Sequence, residues 1–343
     1  MPLTTIQSGM MDSVAQYYGF KNKIINGAMA INQRVSSLST NNTQGYYVDR
    51  MWGFSGVSTA ATFSQISSTG LAGFPNAARV QRTAANTGTN FVLTGQIVES
   101  NNLQDLQGQT VSISFWARAG ANYSASASGL LVNLRTGTTA DQGLNALVSG
   151  WAGAVDQNTT MTLTTSWQRF TVTSFSVPSN AQELTVFFGY NPIGTAGAND
   201  WFDITGVQLE KGSTATSFDV RPYGTELQLC QRYFFRWEPG LGNVIGTFQA
   251  YSSTGTIGTY CYLPVQMRTA PTVTFSAASH FQALNATGNV NNAFSNLPGS
   301  MNNTVISIGT QSGWTGTSGL VAGNATQITA ANAACSISAS SEL

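Results

Sequence analysis

Three observations predict an all-β chain. Short runs rich in Val, Ile, Phe, Tyr, Trp and Thr recur along the whole length, clusters of Gly, Asn and Ser bound them, and no helical pattern of the βαβ kind lies between them. With 343 residues there is room for two ordinary domains and a substantial core, so folding need not depend on metals or disulfides. The runs form two groups. The expected architecture is an N-terminal arm with a short helix (residues 1–22), an antiparallel sandwich (23–220), a short linking helix (221–239) and a second, C-terminal β-sandwich-like domain (240–343).

In the arm, Met10, Met11, Val14, Tyr17, Tyr18 and Phe20 stand at helix-compatible spacing, with Asp12 or Ser13 able to cap a brief helix. An apolar face without a core of its own needs a partner surface, on its own domain or on another subunit. From Lys23 onward KIINGAMAINQRV, YYVDRMWGFSG and NFVLTGQIVES read as strands. TVSISFWARAG is the clearest, since Val111, Ile113 and Phe115 alternate with Ser112, Ser114 and Trp116. LLVNLRTG (130–137), TMTLTTSWQRFTVTSFSVP (160–178), ELTVFFGYNP (183–192) and WFDITGVQLE complete the first group. In the last of these the apolar positions Phe202 and Ile204 change phase at Thr205-Gly206 to Val207 and Leu209, as a bulged strand would.

After Arg221-Pro222 the segment GTELQLCQRYFFRW places Leu227, Cys230, Tyr233 and Phe234 on one face of a helix of about three turns. NVIGTFQAY, GTIGTYCYLPVQMR, PTVTFSAAS, TVISIGTQSG and TQITAANAACSIS are then read as strands, and the Asn-rich 281–303 as a long loop.

Composition excludes several function classes. Charged residues make up 8% of the chain, against about 25% in an average soluble domain. The net charge is zero, Lys occurs three times and there is no basic run. The counterion-release term behind most nucleic-acid binding is therefore missing, and no nucleic-acid partner is expected. No stretch approaches the ~20 apolar residues needed to span a bilayer, and no N-terminal basic-then-apolar pattern resembles a signal peptide, so neither membrane insertion nor Sec export is expected. Cys230, Cys261 and Cys335 lie far apart without a CxxC pair and read as buried free thiols. A surface this poor in charge suggests protection by oligomerisation.

Catalytic machinery is not visible, and neither enzyme activity nor a cofactor is expected. Glycoside hydrolysis, the competing class, needs two carboxylates about 5–9 Å apart. The eight Asp and six Glu stand mostly singly. The closest pair, Asp200 and Asp203, is explained by turn chemistry and by a strand's solvent face respectively. His280 is the one histidine, without an acidic neighbour in sequence, and reads as structural or surface. Nucleophile-elbow, zinc-protease, P-loop and dinucleotide motifs are missing.

Sugar recognition by β modules uses aromatic faces flanked by amides and hydroxyls. Trp151, Tyr190 and Trp314, each in a Gly- or Asn-rich stretch, are the glycan-binding candidates. Their leading use is structural, closing the end of a sandwich or a subunit interface. Trp116 and Trp167 read as core or inter-subunit residues. Eleven Arg outnumber three Lys, and Arg50, Arg79, Arg82, Arg118, Arg135 and Arg169 lie in or beside strands. They are expected at interfaces or in structural bonds, with acidic sugars as the alternative.

The order of MPLTTIQSGM…FKNKIINGAMAINQR, YYVDRMW, SISFWARAG, SWQRFTVTSFSVP and GVQLEKGSTATSFDVRPYGTELQLCQRYF, with LPVQMRTAPTVTF and the terminal ISASSEL, resembles tail-fibre and related appendage proteins of tailed bacteriophages. The resemblance implies a virion structural protein, commonly a homotrimer. In it a jelly roll similar to carbohydrate-binding modules joins a C-terminal β domain, and the whole is made in the host cytoplasm. The arm would dock on tail or other virion proteins, and the β domains would face host-surface polysaccharide. A capsid decoration or head-fibre protein is the alternative, and a glycan depolymerase a more remote one. Carbohydrate-binding jelly rolls often open with an acidic Asn-Gly-Asp-like turn that helps hold calcium. Here the turn is Asn26-Gly27-Ala28, and Asp203 is the one acid at a matching place, so no metal is expected beyond a weak calcium alternative at Asp203.

Overall fold

The structure, a computed structural model, describes residues 20–34, 37–257, 259–284, 290–294, 299–308, 314–315 and 319–343. Met10, Met11, Val14, Tyr17 and Tyr18 lie outside the described residues. The chain forms two compact units, one running to Glu226 and including Leu343, the other spanning Leu227–Glu342. It is all-β, and no helix among the described residues is long and apolar enough to cross a membrane.

Twelve strands build the first unit: β1 (Leu38–Thr40), β2 (Thr43–Val48), β3 (Met51–Ser55), β4 (Ala61–Leu71), β5 (Phe74–Arg82), β6 (Val92–Val98), β7 (Thr110–Ala119), β8 (Gly129–Gly137), β9 (Val155–Thr162), β10 (Gln168–Ser176), β11 (Glu183–Tyr190) and β12 (Trp201–Lys211). They form two antiparallel six-stranded sheets, in the orders β1-β4-β5-β12-β7-β10 and β2-β3-β6-β11-β8-β9. From β5 to β8 each strand lies in the opposite sheet to the one before it, and so again from β9 to β12. This alternation is jelly-roll winding. Between the sheets sits one large core, with Phe63, Ile113, Phe115, Val132, Leu134, Val186, Phe188, Phe202, Ile204 and Leu209 among its fully buried members. Strand β11 is buried at all eight positions. Its Leu184, Val186 and Phe188 enter that core, while Phe187 joins a second apolar cluster with Trp52, Phe54 and Ile97.

Some segments depart from the sequence reading. KIINGAMAINQRV is not a strand; it is a turn-rich plug whose Ile24, Met29 and Ile31 are buried. The reason is local hydrogen bonding that replaces a ladder. Asn26 takes a positive φ and its side chain donates to the Ile31 and Asp49 carbonyls while accepting from Ile31 N. The plug locks onto the β12 bulge, where the register against β7 shifts between Thr205 and Gln208 and Gly206 has φ +60°. Val207 N donates to Gly27 O at 2.9 Å, and Asn22 Nδ2 donates to Val207 O at 3.0 Å. A Cβ at position 27 would lie 2.1 Å from Val207 O, which is why Gly stands there. The stretch 160–178 divides between the end of β9 and β10, in different sheets. A six-residue helix, α1 (Leu144–Ser149), also interrupts the β pattern, burying Leu144 and Leu147 one turn apart.

The linking helix is shorter than its sequence suggests. It is α2 (Tyr223–Gln231), and Phe234–Trp237 is already strand β13. The Phe-Phe-Arg-Trp run pairs with β24 (Ile337–Ser340), so its backbone bonds go to a sheet. The second unit holds three further sheets of short strands. They are β13-β24-β17, β19-β18-β23-β14-β15-β22 and β16-β21-β20, with β14 at Val244–Ser252, β15 at Gly255–Ile257, β16 at Thr259–Tyr262, β17 at Thr272–Phe275, β18 at Phe281–Leu284, β19 at Val290–Ala293, β20 at Gly299–Met301, β21 at Val305–Ile308, β22 at Trp314–Thr315 and β23 at Ala325–Ala330. Strand β18 falls where a loop is expected. Phe281 and Ala283 alternate inward in it, and it pairs with β23. Phe248, Met267, Phe281, Ile328 and Ile337 anchor this unit's core. Cys230 and Cys335 are buried thiols, whereas Cys261 is only partly buried.

Candidate functional site

The second sheet of the jelly roll buries one face in the core and lines a cleft of about 610 Å³ with the other. Side-chain alternation decides which residues reach it. On β8, Leu130, Val132 and Leu134 point into the core, so Leu131, Asn133 and Arg135 face outward. Strand registers then align one row across five strands: Trp52, Gly95, Phe187, Asn133 and Asn158. A neighbouring row runs Phe54, Leu93, Gly189, Leu131 and Thr160. Gly95 stands between Trp52 and Phe187, where a Cβ would come within 2.6 Å of Phe187 Cβ. Its absence lets the two rings approach to 6.0 Å between centroids. Leu147 and Val148 of α1 contribute one part of the wall, and Ala125, Ser126, Tyr190 and Asn191 another.

Two groups of polar atoms stand out among the polar side chains of the cleft. Arg135 and Asp156, cross-strand neighbours, form a bidentate pair, with Nε to Oδ1 at 2.8 Å and Nη2 to Oδ2 at 2.9 Å. Arg135 Nη1 also donates to the Leu147 carbonyl at 3.2 Å, and the guanidinium carbon lies 5.7 Å from the Phe187 ring centroid. Charge there is locally cancelled and the planar groups are held in place. The second group is unsatisfied. Asn133 is 4% exposed, and its Oδ1, like the indole Nε1 of Trp52, has no hydrogen-bond partner. A buried polar atom left unpaired costs roughly 1–3 kcal/mol. Both atoms are sealed from solvent beneath the aromatic lining of the cleft.

The sequence candidates fall around this cleft more than within it. Trp151 follows α1, is 4% exposed and packs in one cluster with Trp52, Leu144 and Leu147 on the outer face of the second sheet, away from the sandwich end named for it from sequence. Tyr190 reaches the cleft lining, but its ring packs on Tyr123 and Phe202 in the core and its hydroxyl donates to Asp200 Oδ1 at 3.2 Å. Burial, followed by the nearby Asp200 charge, holds the Tyr190 hydroxyl well above its ordinary pKa, so it stays a donor. Trp314 occupies β22, opposite Thr256, and its side chain lies outside the described residues. Phe20 is exposed, with the Arg221 guanidinium 5.0 Å from its ring centroid.

Asp200 and Asp203 are both fully buried; Asp200 directly follows the turn at 198–199, and Asp203, on an outward strand face, is covered where solvent exposure was expected. Asp200 accepts from Ser124 N, Ser124 Oγ, Tyr190 and Arg82. Asp203 lies on the outer face of its sheet, yet the side chains of Arg79 and Arg118 cover it and take both its oxygens. Guanidinium groups thus balance the charge that the calcium alternative assigned to a metal, and no cluster of three metal-ligating side chains occurs among the described residues. His280 ends a 3-10 turn, Ala278–His280, ahead of β18.

Sequence reasoning missed Trp52, Phe187, Asn133, Asp156 and Asn158, and named Arg135 only for an interface, a structural bond or an acidic sugar. A signal existed on β8, where Asn133 and Arg135 interrupt an apolar strand two residues apart; β9 is polar at every position from Asp156 to Thr160 and offers no alternation to read.

No protein-family model and no curated protein matches the chain. Among solved structures it is similar to a family 61 carbohydrate-binding module in complex with β-1,4-galactotriose, at 12% identity, over 55% of this chain and 98% of that one, TM-score 0.30. It is also similar to the C-terminal family 22 carbohydrate-binding module of Clostridium thermocellum Xyn10B, at 17% identity, over 46% and 85%, TM-score 0.29. A family 4 carbohydrate-binding module aligns at 16% identity over 54% and 97%, TM-score 0.29. The reading of the site rests on the cleft's own residues.

Proposed function

We propose that this chain is a non-catalytic glycan-binding protein whose first unit takes a neutral saccharide in the cleft of its second sheet. The observation that carries the reading is the row of Trp52, Phe187, Asn133 and Asn158 lining the cleft beside the bidentate Arg135–Asp156 pair. Sugar rings present C–H faces to aromatic surfaces and hydroxyls to amides and planar charged pairs, and this row offers each in turn. A neutral ligand fits because Asp156 already cancels Arg135. Binding is favoured over hydrolysis because Asp156 is the one carboxylate among the lining residues and both its oxygens are engaged, whereas glycoside cleavage employs two carboxylates.

In the wider reading, supported by the ordered sequence motifs, the protein is a phage tail-fibre or appendage subunit. It would assemble as a homotrimer, dock through residues 1–22 and present the cleft to host-surface polysaccharide. A capsid-attached fibre is the second placement. Affinity electrophoresis in gels containing galactan, xylan or dextran tests the binding. Retardation in at least one gel, abolished by Asn133→Leu, is expected, and free migration in every neutral gel overturns the reading. Deleting residues 1–22 tests the placement: loss of particle incorporation with the β units still folded is expected, and unchanged incorporation contradicts it.

A further inference from the structure

The outer face of the first sheet carries a different arrangement. In the strand registers Asp203 on β12 stands directly between Arg79 on β5 and Arg118 on β7. Asp203 accepts from Arg79 Nε at 2.7 Å and Nη2 at 2.9 Å, and from Arg118 Nε at 2.9 Å. Aromatic rings hold both guanidinium groups from the side. The Arg79 carbon lies 3.9 Å from the Trp201 ring centroid, and that of Arg118 lies 4.7 Å from Trp167 and 5.5 Å from Trp201. Trp167 is itself fixed, its Nε1 donating to Thr69 O at 3.1 Å.

Two features go beyond what a structural ion-pair ladder needs. First, donors are left over. Arg79 Nη1 and both Nη atoms of Arg118 donate to no acceptor among the described residues, although the two side chains are only 24% and 23% exposed. Second, the face is cationic. Arg169 on β10 is the cross-strand partner of Trp116, which places it diagonal to Arg118, a spacing of roughly 7–8 Å. Three guanidinium groups against the Asp203 and Glu210 carboxylates leave 3 − 2 = +1 on one sheet face, in a chain with only 8% charged residues.

We propose that this face is a second binding site, for a carboxylate-bearing sugar. The Nη1/Nη2 edge of Arg118 grips the carboxylate, Arg79 Nη1 adds a single donor, and the partly exposed Trp116 and Trp167 pack against the ring. A guanidinium presents parallel N–H groups that match a carboxylate bidentately. Here that fork is already ordered by Asp203 and by the indoles, so little side-chain freedom remains to be lost on binding. The site is independent of the neutral cleft, which lies on the other sheet and keeps its arginine cancelled.

Calorimetric titration of the full chain with trigalacturonate tests this. Wild type is expected to bind, with affinity falling as salt is raised. Arg118→Gln is expected to bind roughly tenfold or more weakly, the cost of a lost charge-assisted hydrogen bond. Asn133→Leu, in the cleft, is expected to bind trigalacturonate unchanged, which separates failure of this site from failure of the other. Arg118→Lys keeps the charge and a partner for Asp203 but lacks the fork; it is expected to weaken binding as well, and it serves if Arg118→Gln does not fold. Absence of wild-type binding, unchanged affinity in both Arg118 variants, or dextran sulfate binding as tightly as the uronate with the same insensitivity to Arg118, would overturn the proposal.

Discussion

Glu183 gives a stability test that runs opposite to the usual behaviour of a carboxylate. It opens β11, is fully buried, and accepts a hydrogen bond at Oε2 from Gln142 N at 2.7 Å while Oε1 has no partner. Burial first, and the nearby Asp141 charge as well, push its pKa from 4.5 up to about 7, with the Gln142 bond pulling the other way. A carboxyl that is harder to ionise in the folded state binds its proton more tightly there than in the unfolded chain. Between pH 4.5 and 7 the unfolded chain releases the proton and the folded one keeps it, so stability falls as pH rises and levels off above about 7. At about 1.4 kcal/mol for each tenfold change, the fall from pH 5 to pH 8 is about 2.5 kcal/mol. Glu183→Gln keeps an acceptor for Gln142 N and removes the ionisation. Urea unfolding at pH 5, 6, 7 and 8 should therefore show a declining wild-type curve and a flatter variant curve, with the variant the more stable at pH 8. The comparison with Glu183→Gln cancels what the other groups of the chain contribute in this window. Parallel curves for the two proteins would refute the placement of this carboxyl.

Gly27→Ala puts a Cβ 2.1 Å from the Val207 carbonyl oxygen, backbone against backbone, and should lower stability by on the order of 3 kcal/mol, read as a loss of urea midpoint. Asp203→Asn removes the shared countercharge of Arg79 and Arg118; because both arginines keep partial exposure, a loss of on the order of 2 kcal/mol is expected by thermal unfolding, smaller at high salt. Phe248→Ala empties a buried position in the second unit's core and should cost about 3–5 kcal/mol in the unfolding transition of that unit.

Much of the fold was legible because strand patterning is a local signal. The alternation in TVSISFWARAG and the phase change at Thr205-Gly206 translate directly into β7 and into the β12 bulge. Where reading failed, the cause was backbone pairing that sequence does not display. Ile24, Ile25 and Ile31 look like strand residues, yet the Asn22 and Asn26 side chains supply the hydrogen bonds a neighbouring strand would have made. Phe234 continues a helical stripe, but it lies opposite Ser340, more than a hundred residues away in sequence.

The cleft was hidden for the same reason. Trp52, Phe187 and Asn133 are far apart in the chain and form a row only through three strand registers. Loop aromatics such as Trp151 drew attention because loops often carry function. In this unit the strands supply most of the candidate surface, and the loop residue packs with Leu144 and Leu147 of α1. Asp203 shows the converse: its position on an outward face was correctly placed, but its burial depends on arginines from two other strands.

The most direct measurement is calorimetric titration of neutral oligosaccharides, cut from whichever polysaccharide retards the protein, into wild type and into Asn133→Leu. Leu fills the amide's volume without its donors and acceptor, so the unfolding midpoint should hold or rise while affinity falls roughly tenfold or more. Equal affinity for both proteins, with both folded, would contradict glycan binding in the cleft.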